Sequence, residues 1–388
     1  MNFLQRSLST VALLIFSAVF LNAQPGCPQV NAGADVSLPC GTNCTTLNAT
    51  AFQTGNTATY GVSQIAYTPF SYTAGTPVLV NTDDLWSGVI PLPFKFCFFG
   101  TAYENVVVGA NGLITFDTTL AGTYCIWDLT TSGSLPTTNV YGNCIMGPYH
   151  DIDPSLGGTI SYQIIGSAPC RIFVVSYYQI PMFDSDNLLS TCSGIDATHQ
   201  IAIYETTNVI EVYIDHKTAC PAPGFFTTQW NDGLAIEGIQ DASQTLAYTV
   251  PGRNNTVWDA SNDAWRFTPN GPSIVTINWY NGASQIASGA SVQVCPGSNT
   301  TYTAEATYTP CAGGIPVVVT DNVNVTLAGA LQAAIDSSHN ISCFGLNNGS
   351  AYAHATTTNA GLAYGWSNGS HNLSISNLSA GTYVFTAS

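Results

Sequence analysis

The stretch Phe94–Phe116, FKFCFFGTAYENVVVGANGLITF, decides the fold class of this chain. It consists largely of aromatic and β-branched residues, and it contains a single lysine and a single glutamate. The runs Asn105–Val108 and Leu113–Phe116 flank a Gly-Ala-Asn-Gly sequence, and Asn-Gly tolerates the positive φ of a type I′ turn. The stretch therefore predicts a β-hairpin in the core of a sandwich.

Similar runs occur along the rest of the chain. Arg171–Tyr178, Gln200–Tyr204 and Val209–Ile214 are strand-like, and the turn Thr206–Asn208 joins the last two as a hairpin. Helical periodicity is missing apart from a single turn suggested at Leu331–Ile335. Short strands separated by glycine and proline are typical of β-sandwiches. We expect an all-β fold of tandem Ig-like β-sandwich domains after a cleaved signal peptide.

Charged residues are scarce, at 7% of the chain against roughly 25% in an average soluble domain. The chain is nevertheless not of the disordered type, because 45% of its residues are apolar. Six basic residues stand against 22 acidic ones. This balance argues against nucleic acid as a partner and against electrostatic docking to anionic lipid, since both need clustered lysine and arginine.

The first 23 residues have the features of a secretory signal peptide. Arg6 precedes the apolar run Val11–Leu21, and Ala23 is the small residue before a predicted new N-terminus at Gln24. The apolar run is shorter than the ~20 residues of a membrane span, and no second long apolar run follows. We expect a protein that is secreted or held at the cell surface without direct membrane insertion.

All 12 cysteines lie in the exported part, and an oxidising compartment favours disulfides over metal sites. No Cys-x-x-Cys motif is present, which argues against zinc and against a redox pair. Connectivity cannot be deduced from sequence. Proximity in the chain suggests Cys40 with Cys44, Cys192 with Cys220, and Cys295 with Cys311.

After the predicted signal peptide, residues 1–23, the sequence predicts that the chain is divided into five parts. They are a short Cys- and Thr-rich segment at 24–60, a large β-sandwich domain at 61–272, an Ig-like β-sandwich at 273–327, a linker at 328–334, and a last unit at 335–388. The segment 24–60 is either a small module or an N-terminal strand of the domain that follows it.

The last unit resembles an SprB-type repeat. Its sequence contains Cys-x-Gly-x-x-Asn-Gly-Ser at Cys343–Ser350, Trp-Ser-Asn-Gly at Trp366–Gly369, and Asn-Leu-x-Ala-Gly-Thr-Tyr at Asn377–Tyr383. Such repeats belong to large surface adhesins of bacteria that use type IX secretion and often glide. The resemblance implies that Trp366 fills a sandwich core and that the type IX machinery is a partner of the full-length protein.

The same resemblance implies a second cysteine and a sorting domain farther along the chain. Ser388 falls directly after the sequence GTYVFTA, inside what should be a closing strand. We therefore expect the repeat to be truncated, the native chain to continue past Ser388, and Cys343 to lack its family partner.

The large domain resembles nidogen-like extracellular domains. The sequence PLPFKFCFFG at Pro91–Gly100 and the sequence VVVGANGLITFD at Val106–Asp117 match the aromatic strand and hairpin with which those domains begin. His150–Tyr177 and Val250–Pro269 would complete the domain. The resemblance implies an adhesive, architectural role and no chemistry.

Catalysis has no support in the sequence. The six histidines are scattered, and no His-Glu-x-x-His, Gly-x-Ser-x-Gly or phosphate-loop motif occurs. We predict a non-catalytic surface adhesin that binds an extracellular glycan or protein. The alternative is a carbohydrate-binding module of a secreted glycan-degrading system, with Trp127, Trp230 or Trp258 stacking on sugars. A third candidate is a secreted hydrolase with paired carboxylates.

Two acidic clusters are candidate calcium sites. Asp151 and Asp153 are two residues apart, and so are Asp184 and Asp186. Calcium takes six to eight oxygen ligands, which closely spaced aspartates in loops supply. The competing interpretation is turn chemistry, because aspartate also hydrogen-bonds to its own backbone. Neither cluster has the glycine and distal glutamate of an EF-hand loop.

Overall fold

The computed structural model describes residues 26–39, 41–78, 82–183, 194–219, 233–309, 311, 316–327, 331–357 and 361–388. The predicted signal peptide, residues 1–23, lies outside them. Within these ranges the structure is strand and turn, with one 3-10 helix at Thr118–Leu120. The predicted all-β fold is confirmed. No helix in the described part of the chain is long and apolar enough to cross a membrane.

The described chain begins with four short strands, β1 (Val30–Asn31), β2 (Val36–Leu38), β3 (Thr45–Asn48) and β4 (Thr50–Ala51). A central domain follows, with β5 (Tyr60–Gln64), β6 (Thr76–Pro77), β7 (Ile90–Phe98), β8 (Thr101–Gly109), β9 (Leu113–Thr115), β10 (Cys144–Tyr149), β11 (Thr159–Ile165), β12 (Ile172–Pro181), β13 (Asp196–Tyr204), β14 (Ile210–Lys217), β15 (Leu234–Gln240), β16 (Ala247–Val257) and β17 (Ala260–Pro269).

The central domain is a sandwich of two antiparallel sheets. One sheet has the strand order β16-β15-β10-β9-β8-β7, and the other has the order β5-β17-β14-β13-β12-β11-β6. Side chains from both sheets meet in one buried core, among them Phe96 and Phe98 of the first sheet and Phe173 and Val212 of the second. The rings of Phe96 and Phe98 lie 5.5 Å and 5.1 Å from the ring of Phe116. The charge-poor stretch is therefore sandwich core, as predicted.

The predicted hairpin is confirmed, but its turn differs from the predicted type. Strands β8 and β9 pair through Gly109 and Leu113, which leaves the three-residue loop Ala110–Gly112 between them. Gly112 alone in this loop has a positive φ, of 83°. A type I′ turn needs positive φ at two central residues, so the loop is of the longer kind that places one glycine in the left-handed region.

Five strands follow the central domain, β18 (Val275–Asn281), β19 (Ser284–Ser288), β20 (Ser291–Val294), β21 (Thr300–Tyr308) and β22 (Val317–Leu327). They pair with the first strands of the chain. Strand β2 lies parallel to β22, and β3 lies antiparallel to β20. Leu38 and Leu47 from the N-terminal strands share a core with Trp279 and Val323.

The strands β1–β4 and β18–β22 thus form one domain, which we call the split sandwich. The central domain is inserted into it between β4 and β18. This arrangement differs from the expectation that residues 24–60 form a small module or join the domain that follows. Sequence neighbours are usually neighbours in space, and an inserted domain breaks that rule.

The last unit has β23 (Gln332–His339), β24 (Gly349–Thr356), β25 (Tyr364–Trp366), β26 (Ser374–Leu378) and β27 (Phe385–Ala387). Trp366 is 5% exposed and packs with Ile375, Leu378 and Phe385, as predicted for a core tryptophan. Strand β23 begins inside the predicted linker 328–334. The helical turn suggested at Leu331–Ile335 is wrong, because these residues enter a strand that pairs with β24.

Three disulfides lie in the described chain, Cys27–Cys170, Cys44–Cys295 and Cys97–Cys311. The predicted pairings Cys40–Cys44 and Cys295–Cys311 are therefore wrong, although Cys44, Cys295 and Cys311 are disulfide-bonded. Proximity in the chain misled because the inserted domain brings distant segments together. Cys40, Cys192 and Cys220 lie outside the described residues. Among the described cysteines, the thiols are Cys125, Cys144 and Cys343, so Cys343 is free, as expected.

Candidate metal centre

The two predicted calcium clusters have different outcomes. Asp151 and Asp153 follow β10 and are buried, with 4% and 5% of their surface exposed. Asp184 and Asp186 lie outside the described residues. The Asp153 carboxylate accepts a hydrogen bond of 2.8 Å from the backbone N–H of Ser155, which is the contact of an Asx turn.

Asp151 meets two acidic residues that the sequence analysis did not single out. One carboxylate oxygen from each of Asp83, Asp84 and Asp151 lies within 4.8 Å of the other two. We call these three residues the aspartate cluster. Asp153 is outside this set, so the structure separates the two members of the predicted pair. The sequence did contain a signal for these two residues, because adjacent aspartates such as Asp83 and Asp84 are conspicuous in a charge-poor chain.

The hairpin β8–β9 positions the first two members of the cluster. The segment after Asp84 runs beside the hairpin, since the N–H of Ala110 donates to the carbonyl of Leu85 at 2.9 Å and Trp86 forms a bridge with Gly109. The Trp86 side chain is fully buried. This anchoring brings the two carboxylates to the loop end of the hairpin.

Asn111, in the hairpin loop, connects the two halves of the site. Its side-chain N–H donates to Asp84 Oδ1 at 2.8 Å, and its Oδ1 accepts from the N–H of Ile152 at 3.2 Å. Asn111 is fully buried. The Tyr124 hydroxyl donates to Asp84 Oδ2 at 3.2 Å from the solvent side. These hydrogen bonds therefore connect four segments of the chain around the cluster.

The pKa of each carboxyl in the aspartate cluster is raised above its usual value. Burial, together with the charges of Asp84 and Asp153, raises the pKa of Asp83 to about 7. Burial also raises the pKa of Asp84, despite the hydrogen bonds from Asn111 and Tyr124. The pKa of Asp151 is raised well above its usual value by burial and by the neighbouring carboxylates. Like charges held this close need either protons or a bound cation to neutralise them.

Comparison with known families gives the central domain its identity. A protein-family model described as NIDO related matches residues 59–269, more than half of the 388-residue chain. The chain belongs to the NIDO-related family. The nidogen-like resemblance of the quoted strand and hairpin is thereby confirmed. No curated protein and no solved structure matches the chain. The NIDO-related domain and the three disulfides of the described chain indicate an extracellular protein.

The NIDO-related domain contains a second cluster of titratable side chains, in which a histidine lies between two aspartates. Both ring nitrogens of His216 contact carboxylates, Nδ1 with Asp215 at 2.8 Å and Nε2 with Asp196. Asp215 also accepts a hydrogen bond of 2.9 Å from the Tyr67 hydroxyl. The imidazole has no nitrogen left to take a proton from a nucleophile, so this group is suited to structure rather than to general-base catalysis.

Two further histidines of the NIDO-related domain are enclosed in its interior. Burial lowers the pKa of His150 to about 3 and that of His199 well below its usual value. The His199 ring stacks on Tyr177, with 4.4 Å between the ring centroids. Both histidines are neutral at physiological pH, and neither is among the residues of the aspartate cluster.

Proposed function

We propose that the protein is a non-catalytic, secreted cell-surface adhesin that binds an extracellular glycan or protein through its β-sandwich domains. The observation that carries this proposal is the fastening of the NIDO-related domain to the split sandwich. Two of the three disulfides, Cys27–Cys170 and Cys97–Cys311, join one domain to the other. A surface protein that holds a ligand against external force benefits from such a rigid pair of domains.

Contacts around the two crossing points support the same role. At the N-terminal crossing, the buried Thr54 hydroxyl donates to the carbonyl of Thr207 at 3.0 Å, and the Thr207 hydroxyl donates to the carbonyl of Gly26 at 2.5 Å. Gly55 forms a β-bridge with Ser273, so the entering and leaving segments are paired. The two crossings and the two disulfides restrict motion between the domains.

The absence of catalysis is part of the proposal and has two supports. The nitrogens of His216 are both occupied by carboxylates. The Lys217 ammonium is buried, donates to the carbonyl of Trp258 at 2.6 Å and has a pKa lowered to about 8 by burial. Both groups are therefore engaged in contacts that hold the fold together.

The identification of the last unit as an SprB-type repeat, and secretion by the type IX machinery, are finer parts of the proposal. They are supported by the sequence resemblance and by the packing of the unit. The Trp366 indole N–H donates to the carbonyl of Asn372 at 2.9 Å, and its ring lies 5.1 Å from that of Phe385. The tryptophan thus lies in the core of this unit, which is the position that the resemblance implies.

The carbohydrate-binding alternative relies on an aromatic face that is free to stack on a sugar. Trp258 does not offer one readily. The Lys217 and Arg253 side chains both lie 4.4 Å from its ring centroid, and its indole N–H donates to the carbonyl of Ala235 at 3.2 Å. Trp230 lies outside the described residues, and Trp127 is half-buried.

Binding of the secreted chain to glycan and extracellular-protein arrays tests the proposal. We expect saturable binding to one ligand class and no turnover when the bound ligand is incubated with the protein. Retention on a polysaccharide column that is lost in Trp127→Ala or Trp258→Ala would favour the carbohydrate-binding alternative. Release of a cleaved product by the wild type would overturn the non-catalytic role.

A further inference from the structure

We propose that Asp83, Asp84 and Asp151 bind one divalent cation, calcium, which ties the segment before β7 to the loop after β10. Their three oxygens lie within 4.8 Å of one another. Ligand oxygens sit about 2.3–2.6 Å from a calcium ion, so oxygens on opposite sides of the ion are about 5 Å apart. The spacing in the NIDO-related domain therefore matches a single shared ion. This inference goes beyond the adhesive role and does not depend on it.

Buried oxygens without partners provide the second observation. Asp151 is 4% exposed, and its Oδ2 is buried without a hydrogen-bond partner in the described structure. The same holds for Asp83 Oδ1. Buried carboxylate oxygens are strongly disfavoured unless a donor or a cation faces them. Within the described residues, the side-chain hydrogen bonds from Asn111 and from Tyr124 both go to Asp84.

No basic side chain of the described chain neutralises the aspartate cluster. Each of the five described lysines and arginines has its partner elsewhere. These contacts are Lys95 with Glu104, Arg171 with Glu205, Lys217 with the carbonyl of Trp258, Arg253 with Glu237 and Asp263, and Arg266 with Glu211. A cation from outside the chain is therefore the simplest source of compensating charge.

The ligand chemistry favours calcium among the common cations. All three candidate ligands are carboxylate oxygens, with no cysteine or histidine in the set, whereas zinc prefers nitrogen and sulfur. Magnesium demands octahedral geometry and usually keeps several waters. Calcium accepts six to eight oxygens in flexible geometry, and extracellular modules bind it with dissociation constants of about 0.1–1 mM.

The ion would fix loops that the hairpin brings together. Asp83 and Asp84 are half-buried at the edge of the site, whereas Asp151 lies inside. Asn111 already bonds to both halves, through Asp84 and through the N–H of Ile152. Calcium would complete this link and would make the rigidity of the NIDO-related domain depend on extracellular calcium.

Thermal unfolding of the secreted chain in EDTA and in 10 mM calcium chloride tests the proposal. We expect calcium to raise the Tm by about 5 °C, by mass action on the folded state. Asp151→Asn should abolish this rise, because it removes the buried carboxylate of the set. Asp117→Asn, which keeps the cap of the 3-10 helix at Thr118–Leu120, is the control that loses a charge elsewhere in the domain.

A second measurement keeps the proposal testable if Asp151→Asn fails to fold. Tyr124 donates to Asp84, so terbium bound in the cluster should luminesce on excitation of the aromatic residues, and calcium should displace it. Asp83→Asn should weaken terbium binding at least tenfold, and Asp117→Asn should leave it unchanged. The proposal would be overturned if calcium left the Tm of the wild type unchanged, or if Asp83→Asn bound terbium as tightly as the wild type does.

Discussion

The carbonyl oxygen of Pro148 occupies the space that a side chain on Gly112 would need. Gly112 lies in the loop of the β8–β9 hairpin with φ 83°, and a Cβ there would overlap this oxygen. The N–H of Gly147 also donates to the carbonyl of Gly112 at 3.0 Å. The two backbones are therefore in direct contact, and this contact brings Asn111 to the loop that carries Asp151.

Substitution Gly112→Ala should destabilise the protein more than Gly100→Ala. Both glycines have φ near 80°, but a Cβ on Gly100 meets nothing within 4 Å. We expect a loss of about 1 kcal/mol for Gly100→Ala from backbone strain alone, and of about 3 kcal/mol for Gly112→Ala, where the clash is added. Urea unfolding measures both. Equal losses would mean that the close approach to Pro148 is absent.

The described thiols should differ sharply in reactivity. Cys343 is exposed, whereas Cys125 and Cys144 are buried. Burial raises the pKa of Cys125 to about 12 and also raises that of Cys144, so neither forms the reactive thiolate. We expect iodoacetamide to label Cys343 in the native protein and the two buried thiols only after unfolding, as read by mass spectrometry. Native labelling of Cys125 would contradict this packing.

The contribution of His216 to stability should fall as the pH rises. Burial lowers its pKa, but the hydrogen bonds with Asp215 and Asp196 outweigh burial, so the pKa is raised. The stabilisation is therefore fully present below the unfolded value of about 6.5 and is lost through the folded pKa. We expect His216→Asn to lose about 0.5–1 kcal/mol at pH 6 and less at pH 9, since these side chains are partly exposed.

Urea unfolding at the two pH values measures this difference. His339→Asn, at an exposed position of β23, is the matched control for the loss of an imidazole. A His216→Asn deficit that is larger at pH 9 than at pH 6 would contradict the charged contact with the two carboxylates.

The contribution of His199 to the pH dependence of stability should be opposite to that of His216. We expect it to lower the stability of the protein as the solution becomes acidic. Its neutral ring is fully buried and its pKa is well below the usual value, so only the unfolded chain takes up a proton between pH 6.5 and 5. Linkage predicts a loss of about 2 kcal/mol over that range from this group. His199→Phe, which retains a ring against Tyr177, should flatten the acid limb of the stability profile. An unchanged limb would show that His199 is protonated when folded.

Signals between neighbours in the sequence were sufficient to predict individual elements, whereas the candidate metal site is formed by long-range contacts that the sequence does not reveal. The Asn111-Gly112 pair and the flanking apolar runs were sufficient for the β8–β9 hairpin, because a hairpin is formed by neighbours in sequence. Asp83 and Asp84 come to Asp151 only through the bridge between Trp86 and Gly109 and the pairing of β9 with β10. No spacing in the sequence encodes that meeting.

The disulfides show the same limit in another form. Cys44 and Cys295 are 251 residues apart and become neighbours because β3 pairs with β20. These two strands are short and consist of ordinary strand residues, so neither sequence identifies the strand with which it pairs. Counting cysteines predicted bridges correctly, but only the three-dimensional pairing of the first and later strands determines which thiols meet.

The Cys44–Cys295 bridge also determines how the molecule responds to being pulled. Tension that enters through the N-terminal strands and leaves past Leu327 can pass through this covalent bond without following the chain through the NIDO-related domain, which lies between the two cysteines in the sequence. Along that path β2 and β22 run parallel, from Val36 opposite Val325 to Leu38 opposite Leu327. Their opposite ends are pulled, so the hydrogen bonds between the two strands are loaded in shear and share the strain.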